Sequence, residues 1–490
     1  MLGRGNLLYR GGETLLTGKL HILHTNDIHS HFANMPYLAD GIRKLKEKLT
    51  ADGDVVVVDI GDHVDRMSVI TEATWGQANI EVMNQTGYDL AAIGNNEGIT
   101  FPKDKLMELY KYARFKVICG NLRDKETHHP PAFLKTFYIQ QIGDVKIGWI
   151  SMTAPFSLFY DLLGWEILDP FSEIKNIVKN IRDQVDFIVL MSHLGLSYDR
   201  KLAEEMEGID LILGAHTHHL LEEGEKVNQT FIIQAGKFGD YMGKTTLEYD
   251  TESKKIIQVQ GHCYPISGFA KAEDIARFID RAEKSADKIL SPPVTDLQVQ
   301  IPIDWERESP LGNLLAKGIR EWVEADISLV NSGQILFSLP KGPVTKKDLL
   351  KICPHPINPC KLQMPGNVLK DVLEQSLDEE NIHRQIKGFG FRGSILGWMC
   401  VDGMFIQYNQ DLPKGKRILR IDINGQELEE NRLYSVGTID MFTFSWIFPH
   451  FRESKDIHYY LPEFIRDILS KELQSKDALI RSSYKRWIQF

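Results

Sequence analysis

The chain has 490 residues, 43% of them hydrophobic and 25% charged, and a formal net charge of −10. That length supports two substantial cores, and the composition excludes a fibrous or disordered chain. The negative charge argues against nucleic acid as the partner, and no uninterrupted apolar stretch in the sequence approaches a membrane span.

Residues 1–18 show no period and no apolar core of signal-peptide length. Either they form a short disordered arm or translation has been assigned too early. Arg10-Gly-Gly-Glu13 is what a purine-rich ribosome-binding site would encode, which places the natural start at Leu15 or Leu16. Strand-like apolar runs then follow at 20–29, 54–62, 89–97, 187–193, 210–218 and 230–236, alternating with helical spacing over 40–49 and 170–184. This is an α/β pattern over 19–268. Apolar residues at helical spacing over 269–290, stopped by Pro292-Pro293, predict a linker helix within a hinge at 269–300. Residues 301–490 mix helices over 311–324, 345–352 and 367–379 with strands over 327–331, 404–408 and 433–438, an α+β pattern.

Five of the six early runs end in metal-ligand residue types: Asp27 and His29, Asp62, Asn95, His193, and His216 with His218. Sheets of this class hold ligands beyond the carboxyl ends of their strands. Asp27 and His29 are two apart, as are His216 and His218, so in extended backbone each pair points to one side. Seven nitrogen and oxygen ligands are too many for one tetrahedral ion and suit two ions sharing an aspartate. Imidazole and carboxylate without thiolate favour Mn, Zn or Fe. The alternative is a set of polar strand caps that end near one another. Cys119, Cys263, Cys353, Cys360 and Cys400 are odd in number and scattered, which suits reduced core thiols in a cytoplasmic protein. The segment from Cys353 to Cys360 has metal-ligand types but lacks a second close pair.

Together, Asp27-x-His29, Gly61-Asp62, Gly94-Asn95-x-Glu97, the lone His193 and Gly214-x-His216-x-His218 resemble the calcineurin-like metallophosphoesterases. The blocks at 309–316 and 325–333 resemble the carboxyl-terminal domain of the 5′-nucleotidase family within that group. The resemblance implies a metallophosphoesterase β-sandwich flanked by helices, followed by an α+β substrate-binding domain. It implies a first divalent metal on Asp27, His29, Asp62 and His218. A second, bridged by Asp62, would sit on Asn95, His193 and His216. Two close cations lower the pKa of a shared water and stabilise both oxygens of an in-line displacement at phosphorus. The expected partner is a small phosphate, a nucleotide above all, with no nucleic acid and no membrane; oligomeric state is not legible. Many members of the family are exported, so the lack of a signal-like segment departs from its habit.

The sequence departs from the family pattern in three further places. Gly-Asn-His-Glu becomes Gly94-Asn95-Asn96-Glu97, and the acid three positions on becomes Ile99. An amide donates a hydrogen bond but cannot act as an acid near neutral pH, and general-acid help is worth roughly 10²–10⁴-fold. Catalysis at Asn96 would therefore suit leaving groups that depart unaided, unless His31 or His219 replaces the lost imidazole. The family's phosphate-binding Arg is Leu336, in the strand that begins at Asn331. Gly61-Asp62-His63-Val64-Asp65-Arg66 resembles a block of the serine/threonine phosphatases, where the Arg grips phosphate, so Arg66 is either that grip or a salt-bridge partner. Finally, Trp398 with Met441 or Phe442 would clamp a base, and His355, Asn358 and Asn331 would line the same cleft; the alternative is an aromatic core. The readings are thus a nucleotide phosphohydrolase, a nucleotide-sugar or phosphoanhydride hydrolase, or a metal-retaining nucleotide-binding protein with little turnover.

Overall fold

A computed structural model describes residues 6–10 and 13–490. The chain divides into two compact units, the first ending at Ala286 and the second beginning at Asp287, within the helix Glu273–Leu290. Of the arm expected over 1–18, residues 1–5, 11 and 12 lie outside the described residues. Asn6–Arg10 is a strand paired antiparallel with the start of β1 (Glu13–Thr25), where the sequence shows no alternation to announce it.

In the first unit β1 is followed by α1 (Met35–Leu49), β2 (Asp54–Asp59), β3 (Leu90–Ala92) and α2 (Asn95–Thr100). Next come β4 (Val145–Thr153), α3 (Pro170–Ile181), β5 (Phe187–His193), α4 (Leu196–Glu205), β6 (Leu211–Gly214), β7 (Thr230–Ile233), β8 (Tyr241–Asp250) and β9 (Ile256–Pro265). One sheet runs β9-β8-β1-β2-β3 and continues through Lys116–Ile118 to Leu134–Lys135. The other runs Glu225–Val227, β7, β6, β5, β4, Phe137–Ile142. β1, β2 and β3 are parallel, as are β4, β5, β6 and β7, so within each sheet the carboxyl ends share one edge.

The valines at 55–58 and the run 187–191 are β-branched or apolar, as doubly covered strands require. Alternate residues set the layers. Leu20, Ile22, Val56 and Val58 join Ile147, Trp149, Val189, Met191, Leu211 and Leu213 in one core cluster. Their neighbours Ile150, Ile188, Leu190 and Ile212 instead pack with Ile174, Ile177, Val178 and Ile181 of α3. That helix starts where the sequence dictates. Asp169 accepts the Ser172 N–H at 2.9 Å and Pro170 fills the first turn. Burying each of its four apolar side chains contributes about 1.5–3 kcal/mol. The result is a β-sandwich flanked by helices.

The second unit is α+β. Its five-stranded sheet runs Met399–Asp402, Ile327–Asn331, Leu433–Ile439, Pro359–Pro365, His458–Tyr459. The helix Pro310–Trp322 packs on it, with Ser328 Oγ donating to Ala316 O at 2.6 Å. A four-stranded sheet around Met404–Tyr408 and Trp487–Gln489 completes the unit. Among the described residues, no helix is long and apolar enough to cross a membrane.

Candidate metal centre

The carboxyl ends of β1 and β2 continue into two loops laced by backbone hydrogen bonds. Asp27 N donates to Gly61 O at 3.0 Å, His29 N to Asp62 O at 2.8 Å, and Ser30 N to His63 O at 3.0 Å. The pairs Asp27/His29 and His216/His218 are not extended, as their spacing had suggested. All four residues adopt left-handed backbone, with φ of 51°, 45°, 72° and 60°, and Asp62 joins them at 54°. β1 ends at Thr25 and β6 at Gly214, so the ligands leave the strands and the loop geometry turns each pair inward. Non-glycine residues in this region cost of order 1–3 kcal/mol each and persist where surroundings over-determine them, as at functional sites. Gly94 is required here for a different reason: a Cβ on it would lie 2.1 Å from Asp62 Oδ1.

Asp27, His29 and His218 bring one ligand atom each to a common point, and so do Asp27, Asp62 and His193. Asp27 Oδ1 lies 3.4 Å from His218 Nε2, 3.9 Å from His29 Nε2 and 4.0 Å from His193 Nε2. Asp62 Oδ2 lies 3.3 Å from His193 Nε2 and 3.7 Å from His29 Nε2, so this carboxylate reaches both groups. The His216 ring sits 5.3 Å from that of His193, and His216 N donates to Asp27 Oδ2 at 3.1 Å. Two buried atoms, Asn95 Oδ1 and His193 Nε2, make no hydrogen bond. Most buried polar groups in folded proteins have a partner, and a cation would complete both of these, the His193 atom facing the Asp62 carboxylate of the cluster. The donor set therefore fits divalent metal.

Charge follows geometry. Burial works against a positive His193, yet the adjacent Asp62 carboxylate pulls its pKa up to about 10. Burial opposes ionised Asp62 too, and the His193 charge outweighs it, holding this carboxyl well below the usual range. Burial lowers His216 to about 4, keeping it a neutral donor. Glu97 is fully buried and accepts N–H groups from Asp62 (3.0 Å), Gly94 (3.0 Å) and Val64 (2.9 Å), anchoring the Asp62 loop. Burial and the Asp62 charge push it up to about 8, against the pull of the N–H donors.

Asn96 is braced against the ligands. Its Nδ2 donates to Asp62 Oδ2 at 2.7 Å and its backbone N to Asp62 Oδ1 at 2.8 Å. Of the proposed substitutes for the lost imidazole, His31 Nδ1 faces the carbonyls of Ile28 and His29, both at 3.1 Å, and its ring stacks on Phe238 at 3.8 Å. His219 is exposed, with Nδ1 2.9 Å from Thr217 Oγ1.

Other expected site residues lie elsewhere. Arg66 is buried and forked onto Glu72, through Nε at 2.8 Å and Nη2 at 2.9 Å; Nη1 donates to Thr100 O at 2.9 Å and the group stacks over Trp75 at 4.6 Å. A buried guanidinium needs such a partner, and Glu72, six residues on, supplies it. The residues expected to clamp a base are buried in the second unit. Trp398 is 6% exposed, edge-on to Trp487 at 5.2 Å, while Met441 and Phe442 are fully buried, Phe442 stacked on Phe451 at 5.0 Å. His355 uses both ring nitrogens, facing Gln334 O at 2.9 Å and accepting Arg392 N at 2.8 Å. Asn358 donates to Glu463 O at 2.7 Å, and Asn331 donates to Leu396 O at 2.6 Å. The partners of His355, Asn358 and Asn331 all belong to the second unit, whereas the buried Trp398 Nε1 makes no hydrogen bond. All five cysteines are buried, and burial raises the Cys353 thiol to about 12.

Two residues escaped the reading of the sequence: Glu97 and Asp65. Asp65 stands inside the Gly61–Arg66 motif, one residue before the arginine, and its Oδ2 is 3.1 Å from His29 Nδ1.

Residues 20–220 match the family model for calcineurin-like phosphoesterase, and residues 293–445 that for the 5′-nucleotidase carboxyl-terminal domain. The chain is similar to an uncharacterized metallophosphoesterase, YunD, of Bacillus subtilis (strain 168), 39% identical over 93% of this chain and 99% of that one. A 5′-nucleotidase of Vibrio vulnificus is 24% identical over 73% of this chain and 75% of its own. Among solved structures, a putative 5′-nucleotidase of Staphylococcus aureus superposes with a TM-score of 0.67 at 18% identity, covering 96% of this chain and 100% of that one. It shows the same fold.

Proposed function

This chain belongs to the calcineurin-like metallophosphoesterases that carry a 5′-nucleotidase carboxyl-terminal domain, metal-dependent phosphoester hydrolases, and we propose that it binds two divalent cations and hydrolyses a nucleotide or related small phosphate. The supporting observation is the cluster of Asp27, Asp62, His29, His193 and His218, all buried but the half-buried His218, with Asn95 Oδ1 and His193 Nε2 making no hydrogen bond. Two bound cations would supply an acidified water and charge for both oxygens of an in-line displacement. The chain's own residues do the rest. Asp27 and Asp62 reach ligands on both sides, Glu97 fixes the backbone of Asp62, and Asn96 fixes its carboxylate.

One observation favours a narrower substrate class. Asn96 is committed to Asp62 and has no proton to give, so leaving groups that are stable anions, as in nucleotide-sugars and other phosphoanhydrides, suit this site better than alkoxides. The test is kcat/KM for wild type and Asn96→His on a nucleoside monophosphate, a nucleotide-sugar and an aryl phosphate. Wild type should prefer the last two, and the histidine variant should help the monophosphate most. A wide wild-type preference for the monophosphate would contradict the leaving-group argument and turn attention to His31 and His219.

A further inference from the structure

We infer that Asp65 is a positioning residue that fixes His29 as an Nε2 ligand of the first cation; this rests on the two-metal reading above. His29 Nε2 points at the cluster, 3.2 Å from His218 Nε2, 3.7 Å from Asp62 Oδ2 and 3.9 Å from Asp27 Oδ1. An imidazole that ligates through Nε2 must lack a proton there, so its one proton sits on Nδ1. Two groups face Nδ1: Asp65 Oδ2 at 3.1 Å and Asn96 Nδ2 at 3.2 Å. The amide nitrogen can only donate, so it cannot receive that proton, whereas the carboxylate can only accept. Asp65 is thus the partner that selects the ligating tautomer, and Asn96 is left to Asp62. A carboxylate behind a ligating histidine also raises the ligand's basicity.

Asp65 is itself held to a fixed place. Its side chain is buried, its Oδ1 accepts Met67 N at 3.0 Å, and its backbone N donates to Ser30 Oγ at 2.7 Å. Ser30 follows His29; its Oγ also accepts Asn79 Nδ2 at 3.0 Å and lies 2.8 Å from Thr71 Oγ1. The loop carrying the ligand and the loop carrying its orienter are therefore tied together by hydrogen bonds.

The test loads the metal-free full chain with Co²⁺, read by d–d absorption and by cobalt counted after gel filtration, for wild type, Asp65→Asn, Asp65→Ala and His216→Ala. His216→Ala marks the spectrum of the first cation alone. Thermal unfolding of each metal-free protein checks that it folds. Wild type should take two cobalt ions per chain. Asp65→Ala should keep the second and bind the first about 10–100-fold more weakly, and Asp65→Asn should recover much of the loss, since its amide oxygen still accepts from Nδ1. Equal affinities in Asp65→Ala and wild type, or loss of both ions alike, would overturn the role of Asp65 alone. Fewer than two ions in wild type would overturn the two-metal reading and this inference with it.

Discussion

Replacing Asn96 by alanine separates bracing from proton donation. The change removes the 2.7 Å bond from Nδ2 to Asp62 Oδ2 and keeps the 2.8 Å bond from the backbone N to Oδ1. A hydrogen bond to a charged group is worth about 1.5–3 kcal/mol net. At about 1.4 kcal/mol per tenfold, that is a loss of roughly 10–150-fold in affinity. Asp62 reaches ligands on both sides of the site, so both cations should weaken together. Competition between the protein and a fluorescent chelator for Mn²⁺ measures this, with kcat/KM at saturating metal recorded in parallel. At saturation most activity should return. If affinity stays within about threefold of wild type, a difference below about 1 kcal/mol, while activity on alkoxide leaving groups collapses, Asn96 is acting on the reaction itself and the bracing argument is wrong.

Arg66→Ala should destabilise the first unit by about 1.5–3 kcal/mol, the worth of a hydrogen bond to a charged group, because the half-buried Glu72 loses its fork; KM for phosphate substrates, measured below the lowered Tm, should hardly change. A selective rise in KM with unaltered Tm would restore Arg66 as the phosphate grip. Asp440 is buried and its pKa is pushed up to about 7 by that burial, above the 3.8 of an exposed aspartate. The folded state then holds a proton that the unfolded state releases between about pH 4 and 7, so stability falls as pH rises through that window, by on the order of 1 kcal/mol per unit. Asp440→Asn, which can still accept from Asn358 N, should flatten that slope in urea titrations; an unchanged slope assigns the pH dependence elsewhere.

The strands were legible because buried parallel strands are written as unbroken apolar runs: 54–59 and 187–193 stand in the structure where the pattern places them. The ligand types at their ends were legible for the same reason, since the runs stop where the loops begin. What spacing could not show was the left-handed backbone at Asp27, His29, Asp62, His216 and His218, which depends on contacts between loops far apart in sequence. Nor could it show which carboxylates serve others: Asp65 and Glu97 gain their roles only when residues about 35 positions away fold against them. Nor could spacing show that Trp398, Met441 and Phe442 join the core of the second unit, because burial is a property of the whole unit.

The central claim is that two divalent cations occupy this cluster and that hydrolysis needs both. Elemental analysis of the protein reconstituted with Mn²⁺ and freed of excess metal, paired with phosphate release from a nucleoside diphosphate, tests it most directly. Wild type should hold two ions per chain and release phosphate, and Asp62→Asn should lose metal and nearly all activity together. Less than one ion per chain in wild type, or full activity in Asp62→Asn, would contradict the account.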